Sequence, residues 1–333
     1  MKVVDNFKPQ SRDVILASFP KTGTTWLKSL LYAITHSSSL DSLNHNHPHL
    51  LVPSLELLVF AANPAGPAAP SDESGGTRIF NTHIPYQVLS GNLNSSDCKV
   101  VYVTRNPKDT VVSLFHYVKK SKTFEEAPWT VEEAADQFCK GVVPYGPYYE
   151  HVLGYRKESL ENPKKVFFVT YEELKGDPNA HVKMLAEFLG CPVGEEAAEE
   201  IVRRCSFGEL SNAAVNKSGD MFTWLGLPNN SFFRKGEVGD YANFLSPETI
   251  RRIDDLTVEK FHKAGFMSLS FPTNRISVLS TSLSLQLLKL VIEYITSLRP
   301  QEERAFADVI NRERVLVRIA TASASLGSSL GFL

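Results

Sequence analysis

A short run near the start of the chain has the composition of a loop that binds an oxyanion. It reads FPKTGTTW over residues 19–26. Gly23 would let the backbone approach an oxyanion closely, and the threonine hydroxyls add hydrogen-bond donors. Lys21 supplies a full positive charge, and Trp26 offers a flat face for an aromatic base. The alternative is an ordinary strand-to-helix turn whose threonines only cap the helix.

Two further residues have types that could act on such a ligand. His83 follows an apolar stretch, and a histidine titrates near neutral pH, so it can accept a proton from a hydroxyl group. Arg105 opens the run Arg-Asn-Pro, and its planar guanidinium can hold two phosphate oxygens. A histidine taken at random is more often a surface or core residue, and Asn106-Pro107 is also a capped helix start. The neighbouring motifs therefore have to show whether His83 and Arg105 have a functional or a purely structural role.

The elements that would position these residues alternate between strands and helices. Apolar runs predict strands at 13–19, 78–81, 99–104 and 165–169. Apolar spacing and proline-marked starts predict helices at 24–34, 107–119, 130–140, 146–158, 178–189, 195–204 and 247–264. This alternation predicts an α/β fold with a central, mostly parallel sheet flanked by helices. Anions bind in such folds where a strand ends and a helix begins.

Composition argues against a nucleic-acid-binding, a secreted and a membrane-spanning protein. The chain has 333 residues, 43% of them hydrophobic, and a formal net charge of −2, which argues against a nucleic-acid partner. Its four cysteines form no C-x-x-C pair and indicate a reducing compartment. The first ten residues lack the apolar core of a secretory signal, and the apolar stretch 285–298 is too short and too charged to cross a bilayer. We predict a cytoplasmic protein that does not enter membranes.

Several motifs, in order along residues 12–266, resemble those of cytosolic sulfotransferases, and the plant branch most of all. The run FPKTGTTW resembles the family's 5′-phosphosulfate loop, usually written YPKSGTTW. The others are THIPY at 82–86 for the catalytic T-H-[LI]-P, RNPKD at 105–109 for the 3′-phosphate site, YEELK at 171–175, CSF at 205–207, and RKGEVGD at 234–240.

The resemblance implies a P-loop-like nucleotide-binding fold that uses 3′-phosphoadenylyl sulfate (PAPS) as co-substrate, without a metal. His83 would be the general base for a small-molecule hydroxyl acceptor in an in-line transfer, and Lys21 would stabilise the leaving oxygen. The implied PAPS-binding residues are Lys21, Thr22, Gly23, Thr24, Thr25, Trp26, Arg105, Ser113, Tyr171, Cys205, Phe207, Arg234, Lys235 and Gly236.

Two alternatives remain open at this point. One is a catalytically impaired PAPS-binding protein. The other is a small-molecule kinase, which the missing Walker spacing G-x-x-x-x-G-K-[ST] and the lack of a carboxylate pair for magnesium disfavour.

The chain departs from the family pattern in several places. Asn81 stands where relatives often have lysine, and Cys205 where many have threonine. We expect a family domain over 1–266 with a short N-terminal segment and a flexible loop at 61–76. The tail 267–333 is expected to be partly helical or disordered, and the oligomeric state is open.

The histidine-rich run at 45–49 (HNHPH) could suggest a metal site. It has no cysteine or carboxylate cluster beside it, so we predict a solvated loop that could border the acceptor pocket.

Overall fold

The computed structural model describes residues 5–60, 77–121, 130–219 and 227–266. The predictions for the loop 61–76 and for the tail 267–333 concern residues outside these ranges. Within the described ranges, no helix is both long and apolar enough to cross a membrane.

The central sheet contains four parallel strands. They are β1 (Asp13–Ser18), β2 (Arg78–Thr82), β3 (Lys99–Thr104) and β4 (Val166–Thr170). Their order across the sheet is β2-β1-β3-β4, and all three neighbouring pairs are parallel. The predicted parallel sheet is confirmed, with each strand within one residue of its expected bounds.

Helices connect the strands and cover the sheet. In chain order they are α1 (Thr24–Thr35), α2 (Ser42–His45), α3 (Pro48–Leu51), α4 (Leu55–Phe60), α5 (Tyr86–Asn94), α6 (Pro107–Lys119), α7 (Val131–Cys139), α8 (Tyr148–Glu161), α9 (Tyr171–Gly176), α10 (Pro178–Leu189), α11 (Glu195–Arg204), α12 (Phe207–Asn212), α13 (Ala214–Lys217) and α14 (Pro247–Thr257). Single turns of 3₁₀ helix occur at Ser37–Ser39, Asn229–Phe232 and Asp240–Asn243, and a π-helical turn at Val258–His262 follows α14.

The proline-marked helix starts form as predicted. The side chain of Asn106 accepts a hydrogen bond from the amide of Lys108 at 3.0 Å, and Asp177 accepts from Ala180 at 3.1 Å. Each cap satisfies an amide that has no partner inside the helix. Helix α14 ends at Thr257, earlier than predicted, because the chain continues as the π-helical turn.

Apolar packing on both faces of the sheet holds these helices in place. All six residues of β1 are buried. Ile15 and Ala17 join the core on one face, while Val14 and Leu16 join the core on the other. This alternation follows from the two-residue period of a strand, and burial on both faces is typical of parallel sheets.

The strand order determines where a ligand can bind. After β1, the chain places β2 on one side of it and β3 on the other. The connections therefore diverge at the carboxyl end of β1 and leave a crevice there. Ligands of α/β proteins bind at such switch points.

Candidate functional site

Each of the four strands delivers a predicted site residue at its carboxyl end. Lys21 lies just after β1, and His83, Arg105 and Tyr171 each directly follow their strands. A cavity of about 620 Å³ opens at this edge of the sheet. The predicted residues that line it are Lys21, Gly23, Thr24, Thr25, Trp26, His83, Arg105, Ser113, Tyr171, Phe207, Arg234, Lys235 and Gly236.

Two predicted side chains do not reach the cavity. The Thr22 hydroxyl is buried and donates to the carbonyl oxygens of Phe19 and Val103, at 2.8 and 3.0 Å. Cys205 is packed in the apolar core, and burial raises the pKa of its thiol. Thr22 therefore shapes the loop rather than offering a hydroxyl, and the buried Cys205 side chain does not support its implied contact with PAPS. Ser206 lines the cavity instead.

The loop after β1 has a backbone that requires glycine. Gly23 has φ of 117°, and a Cβ there would lie 2.9 Å from Cδ2 of Tyr171. Lys21 also adopts a left-handed conformation, with φ of 70°, which is uncommon for a residue with a side chain. Strain of this kind persists where the surrounding structure fixes it, as at ligand-binding loops.

The Lys21 ammonium lies in a low-dielectric, electropositive environment. Its Nζ is 4.0 Å from the centre of the Tyr117 ring, and within the described part of the chain it forms no ion pair with a carboxylate. Burial, and then the charges of Lys120, Arg105 and Arg234, lower the pKa of Lys21 to about 7. An incoming anion would reverse this effect, because an opposite charge favours the protonated form.

His83 is oriented by groups on two other elements. Its Nδ1 lies 2.7 Å from the carbonyl oxygen of Ser18. Because a carbonyl oxygen only accepts, Nδ1 carries the proton and Nε2 retains the lone pair. Burial lowers the pKa of His83, with Lys28 and Lys21 adding to the shift, while Glu56 and Ser18 oppose it. The imidazole is therefore neutral near pH 7, as a general base must be.

Glu56 is a site residue that the sequence analysis missed. Its carboxylate accepts hydrogen bonds from the His83 amide at 2.6 Å, the Thr82 hydroxyl at 3.1 Å and the Ser54 hydroxyl at 2.5 Å. These contacts hold the backbone at the catalytic candidate and at the residue before it. No motif marks Glu56, since its partner His83 is 27 residues away in sequence.

Three further cationic side chains line the same cavity. Arg105 donates through Nη2 to the carbonyl oxygen of Glu237 at 2.5 Å, and Arg234 and Lys235 each lie 2.6 Å from the Asp240 carboxylate. In the described residues, the Nε atoms of Arg105 and Arg234 are buried without a hydrogen-bond partner. Buried donors normally find an acceptor, so these two are suited to an anionic ligand.

Aromatic side chains also line the cavity. Trp26 and Tyr171 meet edge to face at 5.5 Å, and the Arg105 guanidinium lies 4.6 Å from the centre of the Tyr171 ring. A Cβ on Gly236 would lie only 2.7 Å from the Phe207 ring, so the backbone comes close to that ring. This geometry suits a flat heterocycle joined to two anionic groups.

The histidine-rich run differs from the predicted solvated loop. His45 is exposed, but His47 is wholly buried, and His49 lines the cavity. Burial lowers the pKa of His47 to about 4, with Lys28 adding to the shift. The segment is ordered because helix α3 begins at Pro48 and the His47 ring caps it. Among the described residues, no group of three or more His, Cys, Asp or Glu side chains could hold a metal ion.

Known proteins resemble this chain in sequence over most of its length. The sulfotransferase domain family matches residues 11–265. Cytosolic sulfotransferase 7 of Arabidopsis thaliana is 46% identical over 266 residues, covering 77% of this chain and 80% of the relative. Cytosolic sulfotransferase 5 of the same plant is 42% identical over 273 residues, covering 78% and 83%.

A solved structure gives the same result. The mouse sulfotransferase SULT7A1 complexed with PAP is 30% identical, with a TM-score of 0.62, covering 78% of this chain and 88% of that one. The family match includes all the residues that line the cavity, from the loop after β1 to the cations beyond α13. The chain is therefore a member of the sulfotransferase family and a transferase.

Proposed function

We propose that this protein transfers the sulfuryl group of PAPS to a hydroxyl of a small-molecule acceptor. The observation that supports this most is that Lys21, a neutral His83 and two arginines with unpartnered Nε donors line one cavity. PAP, which remains when PAPS has lost its sulfuryl group, is the ligand in the related mouse structure.

The chain has groups suited to both ends of the nucleotide. Lys21 and the amides that follow it would hold the 5′-phosphosulfate, since a helix N-terminus and a lysine both favour negative charge. Arg105, Arg234 and Lys235 would hold the 3′-phosphate through charge-assisted hydrogen bonds. Trp26, Tyr171 and Phe207 would contact the adenine. The unpartnered Nε atoms and the close approach at Gly23 support this placement.

The transfer itself needs one proton acceptor and one stabilising cation. His83 accepts the hydroxyl proton on Nε2 while the acceptor oxygen forms a bond to sulfur and the bond from sulfur to the bridging oxygen breaks in line. Lys21 stabilises the negative charge that develops on the bridging oxygen. Positioning and electrostatics supply most of the rate in such group transfers. We propose that no metal ion takes part, so a chelator should leave the rate unchanged.

The acceptor enters the cavity beside His83. Its walls there include the apolar or aromatic side chains of Leu57, Tyr117, Tyr145 and Phe232. The Tyr145 ring lies 5.4 Å from the His83 ring. We therefore propose a largely apolar, hydroxylated small molecule as acceptor. The names of the plant relatives suggest that the reaction takes place in the cytosol.

A panel of hydroxylated acceptors with PAPS labelled in the sulfuryl group tests this proposal. The wild type should transfer label to at least one acceptor. His83→Ala should transfer none while still binding PAP, and His45→Ala, which changes an exposed histidine, should behave like the wild type. Failure of the wild type to transfer label to any acceptor, with PAP still bound, would favour the impaired PAPS-binding protein. Transfer from ATP but not from PAPS would favour the kinase.

One observation keeps the impaired binding protein as a second candidate. Asn81 is buried at the cavity wall, and its Nδ2 has no partner among the described residues. The family resemblance places lysine at this position in many relatives, so the site has one fewer cation beside the sulfuryl group. Restoring it with Asn81→Lys should raise kcat if the lost charge limits the rate.

A further inference from the structure

Lys28 is a buried lysine that the proposed mechanism does not use. It lies on α1, one turn beyond the phosphate-binding loop, and is wholly buried. Its Nζ lies 2.8 Å from the carbonyl oxygen of Val52 and 2.9 Å from Nδ1 of His49. Burial lowers the pKa of Lys28 to about 7, while the nearby Glu56 carboxylate favours its charged form. An ammonium group has three donors and no acceptor.

His49 connects Lys28 to Thr25, because one ring nitrogen lies beside each of them. A protonated Lys28 can only donate to Nδ1, which places the proton of the neutral imidazole on Nε2. Nε2 lies 3.1 Å from the hydroxyl of Thr25 and therefore donates to it. Burial, followed by the charge of Lys28, holds the pKa of His49 well below its usual value, so the ring stays neutral. Nδ1 of the His47 ring accepts a hydrogen bond from the His49 amide at 3.2 Å, which holds the backbone at His49 in place.

Thr25 stands at the end of this chain of hydrogen bonds. Its hydroxyl oxygen already accepts from His49, so its own proton is left to donate elsewhere. Thr25 lines the cavity within the loop proposed to hold the 5′-phosphosulfate. Every hydrogen bond from Lys28 to Thr25 then runs in the same direction, from a buried cation towards the ligand. Such series of hydrogen bonds strengthen one another in a low dielectric.

We propose that Lys28 and His49 are positioning residues that aim the hydroxyl proton of Thr25 at the sulfuryl-bearing end of the donor. This inference rests on the proposed function, because it assumes that PAPS binds at the loop. This series of hydrogen bonds places the Lys28 cation two hydrogen bonds from Thr25. The site otherwise lacks the lysine that relatives often have at position 81, where this chain has the neutral Asn81. A donor held in the correct direction before the ligand arrives stabilises developing charge without reorganisation.

A double-mutant cycle between His49 and Thr25 tests this proposal. Thr25→Val removes the hydroxyl, and His49→Phe removes both ring nitrogens while keeping an aromatic ring against Phe232. Removal of one oriented donor typically lowers kcat by about a hundredfold, so we expect about that loss for Thr25→Val and about tenfold for His49→Phe. The double variant should lose no more than Thr25→Val alone, because His49 acts only through that hydroxyl. Multiplied losses would overturn the proposal.

Two isosteric variants keep the test meaningful if His49→Phe disturbs folding. In His49→Gln the amide oxygen can accept from Lys28 and the amide nitrogen can donate to Thr25, so the direction is kept and kcat should return to within about threefold of the wild type. His49→Glu offers only acceptors and should lose at least tenfold by the same reasoning. Equal kcat values for Gln and Glu would contradict the proposal.

Controls separate this inference from the proposed function. His45→Phe changes an exposed histidine of the same segment and should leave kcat, the KM for PAPS and the Kd for PAP unchanged. Lys28→Met should lower kcat by about tenfold with a smaller change in the Kd for PAP, which lacks the sulfuryl group. A wild type that transfers nothing from PAPS refutes the proposed function. An active wild type in which His49 and Thr25 substitutions lower kcat independently refutes only the positioning role of Lys28 and His49.

Discussion

At the scale of single residues, burial determines the protonation states of the two groups proposed to act on the substrates. Lys21 has a pKa of about 7 because it is buried near other cations, and His83 has a pKa below the usual value for histidine because it is buried. Each is therefore close to the state its role needs near neutral pH. Perturbed pairs of this kind are typical of catalytic sites.

The first prediction concerns the pH dependence of transfer. As pH rises, kcat/KM for PAPS should increase through the lowered pKa of His83, since the base must be neutral. It should then decrease above about pH 7, where Lys21 in the free enzyme loses its proton. In kcat the falling limb should move to higher pH, because the bound phosphates raise the pKa of Lys21. In Lys21→Arg the falling limb should shrink to the roughly tenfold decrease expected from deprotonation of Lys28, and an unchanged limb there would contradict the assignment.

The second prediction concerns Glu56, which favours the protonated form of His83. In Glu56→Gln, loss of the negative charge should lower the pKa of His83 further. The rising limb of kcat/KM should then shift to lower pH, while kcat falls by about tenfold because the His83 backbone is held less firmly. Glu248→Gln, at an exposed position on α14, is the control and should leave the profile unchanged. A shift to higher pH in Glu56→Gln would contradict the role given to this carboxylate.

At the scale of elements, the loop after β1 and the strand ends explain why a small set of residues forms the site. Lys21, His83, Arg105 and Tyr171 could be predicted from the sequence, because each follows a recognisable strand and parallel strands share one carboxyl edge. His49 could not be predicted, because it contacts Thr25 across 24 positions through a short helix that has no periodicity to detect.

Cys205 shows the limit of motif reading in this chain. The resemblance implied that Cys205 and Phe207, both in the motif CSF, bind PAPS. A new helix, α12, begins after Ser206, whose side chain caps it, and Cys205 still belongs to the preceding turn. Cys205 therefore packs in the core while Phe207 lines the cavity. Family position alone does not determine the direction of a side chain.

The third prediction tests the loop with two glycines of positive φ. Gly23→Ala and Gly190→Ala should both lose stability, by about 1 kcal/mol, because alanine disfavours that backbone conformation. A Cβ at Gly190 would meet nothing within 4 Å, so this variant is the matched control. Only Gly23→Ala should weaken PAP binding, by tenfold or more, since its Cβ would also displace Tyr171. Equal PAP affinity in the two variants would contradict the loop's proposed role.

At the scale of the whole molecule, the site lowers the stability of the fold that holds it. Lys28 is protonated in the unfolded chain up to the ordinary lysine pKa of 10.5, but in the folded chain its pKa is only about 7. Between these values the unfolded state binds more protons, so the free energy of unfolding rises with pH. Below about pH 7 the full cost of burying the charge is present.

The fourth prediction follows from this linkage. The melting temperature of the wild type, measured relative to that of Lys28→Met, should rise from pH 7 to pH 10, because only the wild type relieves a buried charge over that range. Thermal unfolding followed by circular dichroism at several pH values measures the difference. The comparison removes the contributions of the buried tyrosines, which both proteins share. A constant difference across the range would contradict the assigned burial of charge at Lys28.

A crystal structure of the protein with PAP bound would show directly whether the nucleotide binds as proposed. We expect the 5′-phosphate on the amides after Lys21, with the His83 ring facing the same space. We also expect the 3′-phosphate within hydrogen-bond distance of the Nε atoms of Arg105 and Arg234. A nucleotide bound outside this cavity, or with its two phosphates exchanged, would contradict the account.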